Sequence, residues 1–336
     1  MLKEYVEKLK AGKNLTQQEA NKCLTAIFNN DLEDREIADI LSELAEKGES
    51  KDEIIGFAKA LLSKALPLPL TNDSIDLCGT GGSGLDRFNV STASAFILAA
   101  GNVKVIKHGN KGSRKPNGSF DFLEKLGVEY DFEENRMKQI FESTGMCFVF
   151  ARKYHPVMKK VVGARKLLGK RSIFNIIGPL CNPAQPDYQI IGSPDIEKGR
   201  VIAESLTELG RKKCLVVSGE PGIDEISISG KTHVFEINKT EITEYDLNPE
   251  DFNITTVNYG DIPAGNAEDN ANHFFNLINN AANDSLASFV CINSGAAFYC
   301  CGKTEDISKG IRLSRQLIQT GEVKKIYEQY ISETTN

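Results

Sequence analysis

The densest chemical signal in the chain is the glycine-rich turn Gly79-Thr80-Gly81-Gly82-Ser83-Gly84. It follows a short β-prone run, Ser74 to Cys78, and leads to Asn89-Val90-Ser91-Thr92 at the head of an apolar helical stretch. Glycines let backbone N–H groups come close to an anion, and the N-terminus of the next helix adds partial positive charge. Phosphate suits such a turn, with the Ser91 and Thr92 hydroxyls beside it. A tight strand-to-helix turn without a ligand is the plainer reading, and the density of glycine weighs against it. The Gly-Lys-Ser/Thr ending of a P-loop is missing. Gly79, Gly81 and Gly84 satisfy the dinucleotide spacing, yet the next strand ends in Lys107-His108-Gly109-Asn110 where that fingerprint needs an acid. A lysine there favours phosphate over ribose hydroxyls.

Two further places could carry chemistry. Asp224 and Glu225 follow Pro221-Gly222, where adjacent acids read alone are a solvated turn. A helix beginning near Pro156 puts Met158, Val161, Val162, Arg165 and Leu168 on one face. Arg165 interrupts that apolar stripe, which is costly unless the guanidinium is paired. A planar carboxylate on an aromatic substrate would pair with it bidentately, and so would an internal Asp or Glu.

These residues must be positioned by elements of two kinds. Up to Leu66, helical periodicity alternates with capping signals, including Thr16-x-x-Glu19 and Ser50-x-x-Glu53, and predicts three or four short helices. Pro67 and Pro69 then form a stiff connector. Beyond it, strand candidates at Ser74 to Cys78, Val103 to Lys107, Cys147 to Ala151, Tyr188 to Ile191 and Cys214 to Ser218 alternate with helical runs at Ser91 to Ala100, Ser119 to Leu126 and Ile196 to Leu209. That alternation predicts a largely parallel sheet covered by helices, and the chain from Asn266 on reads as helical.

Composition narrows the function classes. At 336 residues with 40% hydrophobic and 26% charged residues, the chain has the make-up of a globular protein with room for a large domain and a smaller one. The longest apolar stretch, Ala93 to Ala100, falls far short of the ~20 residues that span a bilayer. The charged start, MLKEYVEKLKAGKN, lacks a signal-peptide core, so a cytoplasmic location is expected. Eight cysteines without a CxxC pair read as buried small hydrophobes rather than as a zinc site. A net charge of -6 disfavours general nucleic-acid binding.

The run Asp76 to Gly127 resembles the core of the anthranilate phosphoribosyltransferase family. So do Tyr154-His155-Pro156, Arg171-Ser172-Ile173-Phe174-Asn175 with Gly178-Pro179-Leu180 and Asn182-Pro183, and Gly222-Ile223-Asp224-Glu225. The resemblance spans nearly the whole chain. It implies a helical domain over residues 1–66 hinged to a large α/β domain over 67–336 with a mainly parallel sheet, of the nucleoside phosphorylase/phosphoribosyltransferase kind. A segment near 155–185 would pack with the helical domain, and a homodimer is implied. The implied reaction moves the 5-phosphoribosyl group from phosphoribosyl diphosphate to the amine of anthranilate, with Mg2+ as cofactor and no residue assigned as general base.

By the same resemblance, the donor positions are Gly79, Gly82, Ser83, Arg87, Asn89, Val90, Ser91, Thr92, Lys107, His108, Gly109, Asn110 and Ser119. The acceptor positions are Gly79, Asn110 and Arg165, and the metal positions are Ser91, Asp224 and Glu225. The chain departs from the family pattern at Ser83, where an aspartate is usual, and at Arg87, where a small hydroxyl residue is common. Arg114-Lys115-Pro116-Asn117 replaces a serine-rich stretch, and Gly163 replaces a proline. One acid is removed and three cations are added, with Asp86 a candidate to replace the missing carboxylate. Alternatives are a divergent relative with another aromatic amine as acceptor, and a non-enzymatic relative that binds nucleic acid. Pyrimidine nucleoside phosphorylases share the glycine loop but carry a further C-terminal domain.

Overall fold

The computed structural model describes residues 2–112 and 116–335. Four helices come first: α1 (Leu2–Lys10), α2 (Gln17–Asn29), α3 (Asp34–Lys47) and α4 (Lys51–Leu62). Both predicted capping boxes form. Thr16 Oγ1 accepts from Glu19 N–H, Ser50 Oγ accepts from Glu53 N–H, and each glutamate accepts in return from the backbone N–H of its partner at 2.8 Å. Glu53 has a second task. Fully buried, it also accepts from Leu15 N–H and Lys47 Nζ, both at 2.9 Å, and so ties the α1–α2 connection to α4.

The α/β part follows as β1 (Ile75–Gly79), α5 (Val90–Ala100), β2 (Val105–Gly109), α6 (Ser119–Lys125), α7 (Glu134–Thr144), β3 (Met146–Phe150), α8 (Ala151–Tyr154), α9 (Val162–Leu168), α10 (Ile173–Leu180), β4 (Tyr188–Gly192), α11 (Ile196–Leu206), β5 (Lys213–Gly219), β6 (Thr232–Asn238) and β7 (Glu241–Leu247). Helices α12 (Ala267–Ile278), α13 (Asp284–Cys300), α14 (Ile307–Gln319) and α15 (Glu322–Thr335) complete it. The sheet order is β3-β2-β1-β4-β5-β6-β7, parallel up to β5 and antiparallel beyond. The expected fold class, a helical bundle joined to a mainly parallel α/β sheet, is therefore the one observed. Among the described residues no helix is long and apolar enough to cross a membrane.

Each face of the sheet has its own core. On one side α5 is buried almost all round, as its apolar sequence requires, and Phe96 meets Phe148, Phe274 and Tyr330 there. On the other side residues of α2, α3 and α4 share one apolar cluster with α10, α11 and inward side chains of β4, β5 and β6.

One sequence expectation is corrected and one feature is new. The helix foreseen from Pro156 is a 3-10 turn over Pro156–Val161 followed by the short α9. The change of helical pitch rotates Val162 to solvent at 47% exposure, so the apolar stripe is broken there. The β6–β7 hairpin is an addition. Its turn places Lys239 at φ 57°, a left-handed residue other than glycine, so the usual Asn-Gly hairpin signal is missing.

Candidate functional site

In the parallel part of the sheet, β1 leads outward to β2 and β3 on one side, and β4 and β5 lie on the other. Loops leaving neighbouring strands on either side of such a reversal open a crevice at the carboxyl ends. The glycine turn leaves β1 there, and Asp224 and Glu225 lie in the connection after β5. The two meet directly: Gly81 N–H donates to Asp224 Oδ2 at 2.8 Å.

Close approach explains two glycines. A Cβ on Gly79 would sit 2.0 Å from Asp224 Oδ2, and one on Gly192, the last residue of β4, would sit 1.6 Å from the Asp224 carbonyl oxygen. The acid pair is buried, Asp224 at 2% exposure and Glu225 at 7%. Arg87 Nη1 contacts Asp224 Oδ1 and lies 3.3 Å from Glu225 Oε1. Burial pushes the Glu225 carboxyl up, with Arg87 opposing. The other carboxylate oxygen, Glu225 Oε2, is buried without a hydrogen-bond partner. Behind the pair, Asn293 on α13 fixes the loop by accepting from Ile226 N–H and donating to its carbonyl, both at 2.9 Å.

Lys107 and His108 are on β2 beside the turn, both buried. Lys107 Nζ donates to the Leu77 carbonyl, and the charge that acts on it most strongly is the buried Asp76. Burial lowers the Lys107 pKa and raises that of Asp76, and attraction between the two offsets part of each shift. Asp76 is held by His108 N–H at 3.1 Å and Asn182 Nδ2 at 3.0 Å. The His108 imidazole packs edge-on against His155 with ring centroids 5.3 Å apart. Burial first, then His155 and Lys107, keeps His108 neutral. Burial also lowers His155 to about 4 although its Nε2 lies 2.8 Å from the Cys181 carbonyl. His108 Nε2 and His155 Nδ1 are buried without partners.

The remaining predicted positions form two groups. Asn89, at the N-cap position of α5 but with its side chain turned from the helix N–H groups, is joined to Asn117 and Asn270. Asn270 Nδ2 donates to Asn89 Oδ1 and the Arg87 carbonyl at 3.0 Å, and to Asn117 Oδ1 at 3.1 Å. Val90, half-buried Ser91 and buried Thr92 open the helix. In the second group Ser119 Oγ donates to the Asn110 carbonyl at 3.2 Å, and a Cβ on Gly109 would meet that hydroxyl at 2.3 Å. Asn110 Oδ1 caps Lys111 N–H at 2.8 Å. Ser83 is half-buried, and its hydroxyl accepts from Leu85 N–H at 3.4 Å. Asp86 is exposed, and its carbonyl accepts from Tyr259. Arg114 and Lys115 lie outside the described residues.

Arg171 is the contribution that spacing did not single out. From the flank of α10 its Nη1 donates to the Gly81 carbonyl at 2.6 Å and its Nη2 to that of Thr80 at 2.9 Å. A Cβ on Gly82 would strike its guanidinium. A cavity of about 160 Å³ opens between this arginine, the turn and the Ser193–Asp195 loop. Arg165 does not touch the turn. Its guanidinium lies 5.7 Å from the Phe174 ring, and burial lowers its pKa with no acid to offset that among the described residues. Asp34 instead fills the space beside Gly163, where a Cβ would meet its carboxylate at 1.8 Å.

Two family models match the chain: "Glycosyl transferase family, helical bundle domain" over residues 3–65 and "Glycosyl transferase family, a/b domain" over residues 71–324. Anthranilate phosphoribosyltransferase of Bacillus pumilus (strain SAFR-032) is 38% identical over 314 residues, 94% of this chain and 92% of its own length. This chain belongs to the anthranilate phosphoribosyltransferase family. The family's enzyme from Clostridium kluyveri (strain ATCC 8527) is also 38% identical, over 333 residues and 99% of both chains. Among solved structures, anthranilate phosphoribosyltransferase from Thermus thermophilus superimposes with a TM-score of 0.92 at 34% identity, covering 99% of each chain. The Saccharomyces cerevisiae enzyme in complex with PRPP and Mg shares the fold with a TM-score of 0.90 at 23% identity, covering 99% of this chain and 98% of its own.

Proposed function

We propose that this chain transfers the 5-phosphoribosyl group of phosphoribosyl diphosphate to the amine of anthranilate, releasing pyrophosphate, in tryptophan biosynthesis. The observation that carries the reading is the junction of the glycine turn with the acid pair, through the Gly81 N–H to Asp224 contact. It brings backbone donors for phosphate and carboxylates for a cation together at the carboxyl ends of β1 and β5.

Magnesium fits the residues present. Its ligands are oxygens, usually one or two carboxylates together with substrate phosphates. Here Asp224, Glu225 with its unpartnered Oε2, and the Ser91 hydroxyl would hold it. No group of three or more Asp, Glu, His or Cys able to hold a metal occurs among the described residues, so the donor's own oxygens would complete the shell. When bound, the ion would draw negative charge onto the departing diphosphate.

The protein's own task is positioning. The turn from Gly79 to Gly82, the head of α5, Asn89 and Ser119 hold the donor, with Lys107 and His108 on the strand behind. Arg165, which has no acidic partner among the described residues, binds the anthranilate carboxylate, and Asn110 accepts from its amine. The amine nitrogen bonds to the anomeric carbon as the bond from that carbon to the diphosphate oxygen breaks, with both electrons leaving on the diphosphate. The amine becomes acidic only as its new bond forms, so its proton passes to solvent without a strong base. Geometry and fixed dipoles supply most of the acceleration.

The working form is a homodimer through the helical part, where Val162 and Leu167 on α9 are 47% and 63% exposed. The helical part comprises residues 1–66 with α9 and α10, and the rest forms the donor domain. A cytoplasmic location accords with eight free thiols. The deciding experiment mixes purified protein, phosphoribosyl diphosphate, magnesium and anthranilate. Anthranilate fluorescence should fall with one pyrophosphate released per acceptor consumed. Unchanged fluorescence at saturating donor would refute the assignment.

A further inference from the structure

Two neighbouring buried carboxylates repel each other and are costly to desolvate unless a cation joins them. In this chain the cation is built in. Arg87 Nη1 reaches both Asp224 Oδ1 and Glu225 Oε1, while the side chain remains 29% exposed and so has a path outward. Its backbone is anchored: Asn270 Nδ2 donates to the Arg87 carbonyl at 3.0 Å, and Tyr259 Oη donates to the preceding carbonyl at 3.2 Å. The arm can swing while its base stays fixed. A guanidinium has no lone pair to share with a metal, and the carboxylate oxygens it covers are those a divalent ion would take.

We propose that Arg87 is a tethered cation that competes with the divalent metal for the Asp224–Glu225 pair and sets the metal affinity of the site. This rests on reading the pair as the metal position. In the free protein the guanidinium neutralises the pair. Because Asp224 also accepts from Gly81 N–H, it thereby keeps the glycine turn in shape. A metal that binds must displace it, so the free protein holds metal weakly and the ion is retained once diphosphate oxygens add their share of ligands. Arg87 is thus a positioning residue that decides when the metal enters.

The test needs neither substrate nor turnover. Mn2+ is titrated into the free protein and bound ion is read by electron paramagnetic resonance, for wild type, Arg87→Thr, Arg87→Lys and Asp224→Asn. Arg87→Thr should bind Mn2+ roughly tenfold more tightly, because a guanidinium that covers the pair about nine-tenths of the time leaves about one-tenth of the protein competent to bind, and apparent affinity scales with that fraction. Arg87→Lys should fall between, since an ammonium competes as a point charge without the planar fork. Asp224→Asn should abolish the site. If Arg87→Thr loses its circular dichroism signal, Arg87→Gln keeps length and hydrogen bonding without charge and carries the same comparison. Equal or weaker affinity on losing the charge, with Asp224→Asn still abolishing binding, would overturn the competition alone. Binding untouched by Asp224→Asn would instead overturn the metal reading of the pair.

Discussion

Replacing Gly79 with alanine is a one-carbon change whose consequence follows from the geometry of the acid pair. The new Cβ would stand 2.0 Å from Asp224 Oδ2 and 2.8 Å from Asp224 Cγ. Non-bonded carbon contacts are comfortable at about 3.5 Å or more, so the carboxylate must move by more than about 1 Å. It cannot do so freely, because Gly81 N–H and Arg87 hold its two oxygens and Gly192 packs on its carbonyl. Gly79 is not in the left-handed region, so backbone strain contributes nothing. Overpacking of this kind costs about 1–3 kcal/mol of stability, and a misplacement of about 1 Å at a reacting centre costs about 100-fold in rate. Gly145→Ala is the matched control. At φ 72° with nothing within 4 Å of a new Cβ, it should lose about 1–2 kcal/mol through left-handed strain and keep its kcat. Thermal melts and anthranilate-fluorescence kinetics on both variants give the comparison. Wild-type kcat in Gly79→Ala would refute the claim that the turn and the acid pair form one rigid site.

Three other outcomes follow from the same contacts. Arg165→Ala should raise the anthranilate KM by about 10- to 100-fold, the worth of hydrogen bonds to a charged group, with little loss of stability because no acid among the described residues is orphaned; an unchanged KM would refute its role. Arg171→Lys should weaken donor binding, since an ammonium cannot fork across the Thr80 and Gly81 carbonyls, and equal donor affinity by calorimetry would contradict that. His155, near 6.5 when unfolded and lowered to about 4 when folded, binds its proton more readily in the unfolded chain, so stability falls as pH drops from about 6.5 to about 4 and levels below. Denaturant melts of wild type against His155→Asn should differ in pH dependence by about 3 kcal/mol across that window, and parallel profiles would show that the imidazole is not buried neutral.

Much of this was legible in the residues. The capping boxes at Thr16 and Ser50 specify their helix starts by local hydrogen bonding alone, and the glycine turn announces a close approach. What the sequence could not say was what approaches. Gly79 and Gly192 are glycines because of Asp224, far along the chain, and that is a property of sheet order. Arg171 acts through the carbonyls of Thr80 and Gly81, a long-range contact without periodicity. The break at Val161–Val162 escaped because apolar spacing does not distinguish a 3-10 turn from an α-helix over one turn. Conversely, the place of Lys107 near the end of β2 suggests a cation for phosphate. The structure turns its ammonium to the Leu77 carbonyl and Asp76, so any donor contact requires that group to reorient.

Backbone donors and carboxylates act together as one donor site. This is tested most directly by calorimetric titration of phosphoribosyl diphosphate into wild type and Asp224→Asn, with and without magnesium. Magnesium should strengthen binding to wild type and have no such effect on the variant. Equal strengthening in both proteins would contradict the claim.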